Sequence, residues 1–212
     1  MEPQYWLSRW QRGDIGFDQP QPNANLVKYL AQLQVPQQGH IFVPLCGKSI
    51  DVVWLLEQGF YVTGVELSEQ AVKSLFSALN VVPKVSEEGE HLCYRHTKLQ
   101  IFVGDFFALT AAQLGKVDAI YDRAALVALP YSLRQQYSHK LGELCPVAEQ
   151  LVVTVEYPQP EQDSTPQSIS HAHMHELYCE HYQVRLLANN QVDEGIKQCH
   201  PAFNATWHLL RK

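Results

Sequence analysis

Long hydrophobic runs are missing from this sequence of 212 residues. The longest uncharged apolar runs, 41–46 and 151–155, are far shorter than the roughly 20 residues that a membrane-spanning helix needs. The first residues, MEPQYWLSRWQRGD, contain no apolar stretch of the kind found in secretory signals. We therefore expect no membrane partner and a cytoplasmic location.

Excess positive charge and cysteine pairs are also missing. The formal charge is −6, from 16 lysines and arginines against 22 acids, which provides no basic footprint for nucleic acid. The five cysteines are scattered without a C-x-x-C pair, which indicates reduced thiols. The histidines of HAHMHE (171–176) have no further ligand at a known metal-site spacing. We therefore expect no nucleic acid partner and no metal.

Strand-like and helix-like segments alternate along the chain. Apolar runs predict strands near 40–46, 61–66, 99–104, 117–122, 149–156, 182–188 and 205–210. Helical periodicity predicts helices near 24–34, 49–58, 68–79, 131–144 and 170–179. The pattern indicates one α/β domain over 1–212, with a mostly parallel seven-stranded sheet and helices on both faces. The last two strands form an antiparallel C-terminal hairpin, and 81–98 is an exposed excursion.

The first predicted strand-to-helix turn, PLCGKS (44–49), contains a single glycine. A phosphate-binding loop needs another glycine five residues before Gly47, where Phe42 stands. The dinucleotide motif G-x-G-x-x-G fails as well, because positions 44–46 carry side chains. One glycine is enough to turn the chain and to let one group of a ligand pass. The turn therefore favours a nucleoside cofactor without phosphate, such as S-adenosylmethionine.

Acidic and basic residues follow three later strands. Glu66 ends the second strand, where a carboxylate can accept both ribose hydroxyls, or can simply lie near the N-terminus of the next helix. Asp105 follows the third strand, near an expected adenine position. Asp122 and Arg123 follow the fourth, either beside the cofactor or as a surface ion pair. A cationic Arg123 favours an anionic nucleophile nearby.

Two tryptophans near the N-terminus, Trp6 and Trp10, lie four residues apart and therefore on one face of a helix. Such a pair packs against the main domain, or it covers a ligand, since aromatic faces attract a sulfonium cation. Composition does not separate the two alternatives. We interpret residues 1–22 as a lid segment over the site.

Five segments together resemble the thiopurine S-methyltransferase family in its bacterial branch. They are YWLSRWQRGDIGF (5–17), VPLCGKSIDVVWLLEQG (43–59), VTGVELSEQAV (62–72), GDFF (104–107) and DRAALVALP (122–130). The resemblance implies a Rossmann-like class I methyltransferase fold and the cofactor S-adenosyl-L-methionine. It implies cofactor contacts at Trp10, Leu45, Glu66 and Arg123. It also implies that Phe17 packs on the substrate and that Arg123 lies near the ring or the sulfur of the substrate.

Two departures from the family pattern concern the substrate. The family usually shows G-P-P-F after the fifth strand, whereas this chain has STPQSI (Ser164–Ile169), which leaves Pro166 as the remnant of the substrate wall. Animal relatives place a second arginine near the C-terminus, where this chain has IKQCH (196–200) with Lys197 as the candidate replacement.

The resemblance implies an enzyme that methylates the sulfur of aromatic and heterocyclic thiols by in-line displacement. Holding the two reactants close and collinear accounts for most of the rate, and Arg123 would stabilise the thiolate. The alternatives are a selenium- or tellurium-detoxifying enzyme, another small-molecule methyltransferase, and a non-catalytic sensor of an adenosyl ligand. We expect a small-molecule thiol partner and a monomer.

Overall fold

The structure is a computed structural model that describes residues 3–159 and 165–212. Nine strands lie within these ranges: β1 (His40–Pro44), β2 (Tyr61–Glu66), β3 (Lys84–Glu88), β4 (His91–His96), β5 (Leu99–Val103), β6 (Ala119–Arg123), β7 (Glu149–Glu156), β8 (Tyr182–Gln191) and β9 (Phe203–Arg211). The α-helices there are α1 (Pro3–Arg12), α2 (Ala24–Tyr29), α3 (Ile50–Glu57), α4 (Glu69–Ala78), α5 (Ala111–Leu114), α6 (Tyr131–Leu144) and α7 (His171–Tyr178). Short 3-10 turns occupy Leu30–Leu33, Phe106–Ala108 and Leu126–Ala128.

The described strands form one sheet in the order β3-β4-β5-β2-β1-β6-β7-β9-β8. The five central strands, from β5 to β7, pair in parallel. The outer pairs are antiparallel, including β8 with β9, so the α/β class and the C-terminal hairpin are confirmed. The chain passes to opposite sides of β1, which creates the crevice in which open α/β sheets bind ligands.

The predicted number of strands was wrong, because segment 81–98 contributes the hairpin β3–β4 at one edge of the sheet. The sequence of β3, KVSEE, offers a single apolar residue, Val85, and therefore lacks the pattern of a buried strand. Pairing with β4 supports it instead, including a bond from Arg95 Nη2 to Glu88 Oε2 of 2.8 Å. A charged edge strand of this kind resists pairing with other chains.

The core lies on both faces of the sheet, as predicted from the alternation of strands and helices. In β1, Phe42 packs with the cluster that includes α6 and α7, while Ile41 and Val43 pack with the cluster that includes α3 and α4. Successive strand residues point to opposite faces, so each central strand contributes to both clusters. In the parts of the chain that the structure describes, no helix is long and apolar enough to span a membrane.

Candidate active site

A cavity of about 950 Å³ lies over the C-terminal ends of the central strands. This volume is at the upper end of the range for small-molecule sites, which leaves room for a nucleoside and a second compound. The six residues that the sequence assigned to cofactor and substrate all line it: Trp10, Phe17, Leu45, Glu66, Arg123 and Pro166. The structure therefore brings together positions up to 156 residues apart in sequence, from Trp10 to Pro166.

The turn after β1 forms one wall of the cavity in a tightly curved backbone. Leu45 and Gly47 both adopt positive φ angles, 47° and 55°, and the N–H of Cys46 donates to Val65 O at 3.1 Å. A Cβ atom on Gly47 would lie 3.0 Å from Cζ2 of Trp10. The space beside Gly47, which the sequence suggested for a ligand group, is therefore filled by the indole of Trp10.

Glu66 is buried at the end of β2 and is held by the main chain on both sides. Its Oε2 accepts the N–H of Gly47 at 2.9 Å, and its Oε1 accepts the N–H of Ser68 at 2.8 Å. Burial raises the pKa of Glu66, and the bonds from Ser68 and Gly47 oppose that shift. A carboxylate has about four acceptor positions and Glu66 lines the cavity, so it can accept a ligand hydroxyl in addition to these bonds.

The N-terminal segment (residues 3–23) covers the cavity with aromatic side chains. Phe17 meets the rings of Trp6 and Trp10 edge-on, with centroid distances of 5.9 and 5.5 Å. The guanidinium of Arg9 lies 5.6 Å from the Phe17 ring centroid and donates to Thr165 Oγ1 at 3.0 Å. Trp10 is buried, as the packing alternative predicts, and the cluster as a whole lines the cavity. The role of a lid over a ligand stays a prediction.

Arg123 connects the end of β6 to the N-terminal segment. Its Nη2 donates to Phe17 O at 2.9 Å, and its Nη1 lies 3.5 Å from Asp51 Oδ2. Asp51 is buried, accepts the hydroxyl of Tyr121 at 2.9 Å and accepts the N–H of Asn23 at 2.7 Å. Sequence reasoning missed Asp51, because an acid in the first turn of α3 is adequately explained by the helix dipole.

Of the two aspartates that follow strands, Asp122 differs from its predicted position and Asp105 does not. Asp122 is fully buried and does not line the cavity, so it neither contacts a ligand there nor forms a surface ion pair. It accepts bonds from Tyr137 OH at 2.7 Å and Leu126 N at 3.1 Å, and burial raises its pKa to about 6. Asp105 does line the cavity, while one of its oxygens caps the N–H of Phe107 at 3.0 Å.

The two substrate departures have different outcomes. Pro166 lines the cavity, whereas Ser164, the first residue of the predicted loop, lies outside the described residues. Lys197 is exposed and is not among the lining residues, although its neighbour Ile196 is. The replacement of the second arginine by Lys197 is therefore not supported by its position.

A buried arginine, Arg134, contacts Gln167, the residue that follows Pro166. Arg134 donates to Leu129 O, to Gln167 Oε1 and to His173 Nδ1, each at 3.0 Å. Burial lowers the pKa of Arg134 to about 10. Because the bond from Arg134 requires a lone pair on Nδ1, His173 must be neutral with its proton on Nε2. Burial and the neighbouring Arg134 both lower the pKa of His173, which agrees with this assignment.

The histidines of α7 do not form a metal site. The rings of His171 and His175 stack at a centroid distance of 4.9 Å, and His171 also meets Trp207 edge-on. Over residues 3–159 and 165–212, no cluster of three or more histidine, cysteine or acidic side chains is arranged to hold a metal ion.

The fold is shared with solved methyltransferases. The structure of Burkholderia thailandensis 1,6-didemethyltoxoflavin-N1-methyltransferase, with bound 1,6-didemethyltoxoflavin and S-adenosylhomocysteine, matches with a TM-score of 0.69 at 16% identity, covering 99% of this chain and 87% of that chain. A TehB-like SAM-dependent methyltransferase from Corynebacterium glutamicum matches with a TM-score of 0.60 at 11% identity, covering 99% and 98%. The chain has the Rossmann-like fold of class I S-adenosylmethionine-dependent methyltransferases.

Sequence comparison makes the assignment more specific. The family profile described as thiopurine S-methyltransferase (TPMT) matches residues 1–210. The thiopurine S-methyltransferases of Xanthobacter autotrophicus and Gluconobacter oxydans are 44% and 41% identical to this chain, covering 100% and 97% of it and 100% and 93% of their own lengths. The chain belongs to the thiopurine S-methyltransferase family. It is an enzyme that uses S-adenosyl-L-methionine for S-methylation, so the predicted family, cofactor and reaction are confirmed.

Proposed function

We propose that the methyl acceptor is an aromatic or heterocyclic thiol of the thiopurine type. The observation that carries this proposal is the composition of the wall that residues 124–204 contribute to the cavity. Every lining residue from 124 to 204 that the structure describes is uncharged, and no histidine lines the cavity among the described residues. A flat, apolar acceptor fits such a wall, and the wall offers no general base.

The absence of a charged group or histidine among the described residues of this wall favours sulfur over oxygen or nitrogen as the acceptor atom. Alcohols need a base to become good nucleophiles, whereas aromatic and heterocyclic thiols ionise readily, so the enzyme has only to favour the anion. The described lining residues with positive charge are Arg9, Lys48 and Arg123. All three are paired, Lys48 with Asp18, Arg9 with Asp14 at 3.0 Å and Arg123 with Asp51 at 3.5 Å. Arg123 has the loosest of these contacts and lies at the end of β6, so it is the cation that we assign to the thiolate.

The cofactor would lie against the part of the cavity that the turn after β1 and the end of β2 line. Glu66 lines the cavity and would accept the ribose hydroxyls, and Leu45 presents the curved backbone of the turn. Trp10 closes over that turn, and its aromatic face suits a sulfonium cation. When bound, S-adenosylmethionine supplies an electrophilic methyl group. The chain's own residues then hold the acceptor sulfur in line with it, exclude water and stabilise the anion.

The N-terminal segment would act as the lid of this site. Arg123 holds it through Phe17 O, Lys48 through Asp18, and Arg9 bonds it to Thr165 on the far wall. Phe17 would then pack against the acceptor ring, with Pro166 on the other side of the acceptor. A monomer is sufficient for this arrangement, because each of these groups comes from one chain. The cytoplasmic location stays a prediction from the sequence.

The test is methyl transfer from labelled S-adenosylmethionine to a panel of thiols of graded acidity, with 6-mercaptopurine and selenite included. The Arg123→Ala variant should lose at least tenfold in kcat/KM with thiols whose pKa lies above the assay pH, and little with more acidic ones. The reason is that an adjacent cation lowers the pKa of an acid by about 1–3 units. Arg9→Ala, which removes another lining arginine, should lower kcat/KM by the same factor for every thiol in the panel.

The other candidates predict different results. Equal losses across the panel in Arg123→Ala would limit Arg123 to holding the lid and the cofactor. Efficient turnover of selenite but not of thiols would support the detoxifying enzyme, which the uncharged wall disfavours because oxyanions require paired cations. Turnover of alcohols or amines in place of thiols would refute the choice of sulfur.

A further inference from the structure

We infer that Asp51 is a positioning residue that couples Arg123 to the closure of the N-terminal segment. The inference rests on the proposed role of Arg123. Asp51 lies in the first turn of α3, outside the set of residues that line the cavity. It therefore acts on the reaction through its neighbours and not by contact with a ligand.

The two oxygens of Asp51 serve different parts of the molecule. Oδ1 accepts the N–H of Asn23, at the end of the N-terminal segment, at 2.7 Å. Oδ2 accepts the hydroxyl of Tyr121 at 2.9 Å and lies 3.5 Å from Arg123 Nη1. One buried carboxylate thus joins the base of the lid to the cation at the end of β6.

The charge of Asp51 is essential to this arrangement. The guanidinium of Arg123 is largely buried, with 11% of its side chain exposed, so it needs a counter-ion to remain in place. Its second amino group is then directed to Phe17 O at 2.9 Å. Without the carboxylate, Arg123 turns toward solvent and releases Phe17. Cation position and lid closure are therefore set by the same group.

Hydrogen exchange of the unliganded enzyme tests the coupling directly. In Asp51→Asn, the amide keeps an oxygen for Asn23 but presents N–H groups to Arg123, so exchange in residues 14–23 should accelerate at least fivefold. Arg123→Gln should accelerate it similarly, and the double variant should exceed neither single variant by more than twofold. A peptide from α6 serves as the internal reference for global unfolding.

Asp118→Asn is the matched control variant. Asp118 also accepts a backbone N–H, from His40 at 2.8 Å, lies 3.6 Å from a lysine, Lys116, and like Asp51 lies outside the cavity lining. These two partners of Asp118 belong neither to the N-terminal segment nor to the end of β6. Exchange in residues 14–23 should be unchanged in this variant. Equal acceleration in both variants, or less than twofold acceleration in Asp51→Asn, would overturn the inference. Fully additive effects in the double variant would also overturn it.

A second pair of variants covers the case in which Asp51→Asn does not fold. Asn23 has a φ of −60°, which proline can adopt, so Asn23→Pro removes the N–H that Asp51 accepts. Asn23→Gly removes the same side chain and keeps the N–H. The proline variant should exchange at least fivefold faster in residues 14–22, and equal rates would refute the lid side of the coupling.

The kinetic arm of the experiment follows Asp51→Asn across the thiol panel. The loss of kcat/KM should be largest for the weakly acidic thiols, as in Arg123→Ala. A purely structural role would lower kcat/KM by the same factor for every thiol. If no thiol is methylated by the unaltered enzyme, the proposed acceptor class fails. The exchange result still decides the role of Asp51, so the two failures are distinguishable.

Discussion

Replacing Gly47 with alanine separates the two roles of this glycine, its backbone conformation and the space it leaves for Trp10. The φ angle of 55° costs an alanine about 1–2 kcal/mol. For a chain of this size, each 1 kcal/mol lowers the melting temperature by about 2–4 °C. The new Cβ would also lie 3.0 Å from Cζ2 of Trp10, so the buried indole must move by a few tenths of an ångström.

Gly59→Ala provides the comparison, because Gly59 also has a positive φ angle, 92°, and a Cβ there meets nothing within 4 Å. Both variants should melt at lower temperature than the unaltered protein. Only Gly47→Ala should also weaken the binding of S-adenosylhomocysteine, by about tenfold, which corresponds to 1.4 kcal/mol. Differential scanning fluorimetry measures the melting temperatures, and titration calorimetry measures the dissociation constants.

Equal binding of S-adenosylhomocysteine by the two variants would refute a role for the contact between Gly47 and Trp10 in cofactor binding. Such a result would mean that Trp10 adjusts without cost, or that it does not touch the bound cofactor. If Gly47→Ala weakens binding while its melting temperature is unchanged, the strain assigned to the φ angle is wrong, although the contact with Trp10 stands.

Two further predictions concern buried ionisable groups. In Glu66→Gln, the new amide N–H faces one of the backbone N–H groups of Gly47 and Ser68. Calorimetry should therefore show at least tenfold weaker binding of S-adenosylhomocysteine. Unchanged affinity would exclude the ribose role of Glu66. His173 has a lowered pKa in the folded state, so the unfolded chain binds its proton first and stability falls as pH drops below about 6.5. His173→Asn keeps an acceptor for Arg134 without this titration, so urea denaturation should show a smaller loss of stability between pH 7 and 5.5; equal losses would contradict the assignment.

Much of the fold follows from the sequence because its central elements carry local signals. Apolar strands and amphipathic helices alternate, and the caps are local too: Ser49 accepts from Asp51 N, and Ser68 accepts from Ala71 N. The hairpin β3–β4 was missed for a physical reason. Its outer strand is charged and is stabilised by cross-strand pairs, which single-strand patterns do not reveal.

The site shows the same division between local and distant contacts. Glu66 was predicted from its place at a strand end, because the carboxyl ends of parallel strands meet at one edge of the sheet. Asp51 was missed because its partners lie 28 and 70 residues away, at Asn23 and Tyr121. Asp122 was misplaced because a strand end does not show whether a side chain points toward the ligand crevice or into the core.

The N-terminal segment explains why the turn after β1 has a single glycine. Three residues of the domain bind this segment by hydrogen bonds or an ion pair: Lys48 in the turn, Arg123 at the end of β6 and Asp51 in the helix that follows the turn. Gly47 leaves room for Trp10 of the same segment, and its N–H donates to Glu66. A glycine-rich phosphate loop would present its backbone to an anion, whereas this turn presents its surface to a tryptophan. The single glycine of this turn therefore fits its contact with the N-terminal segment.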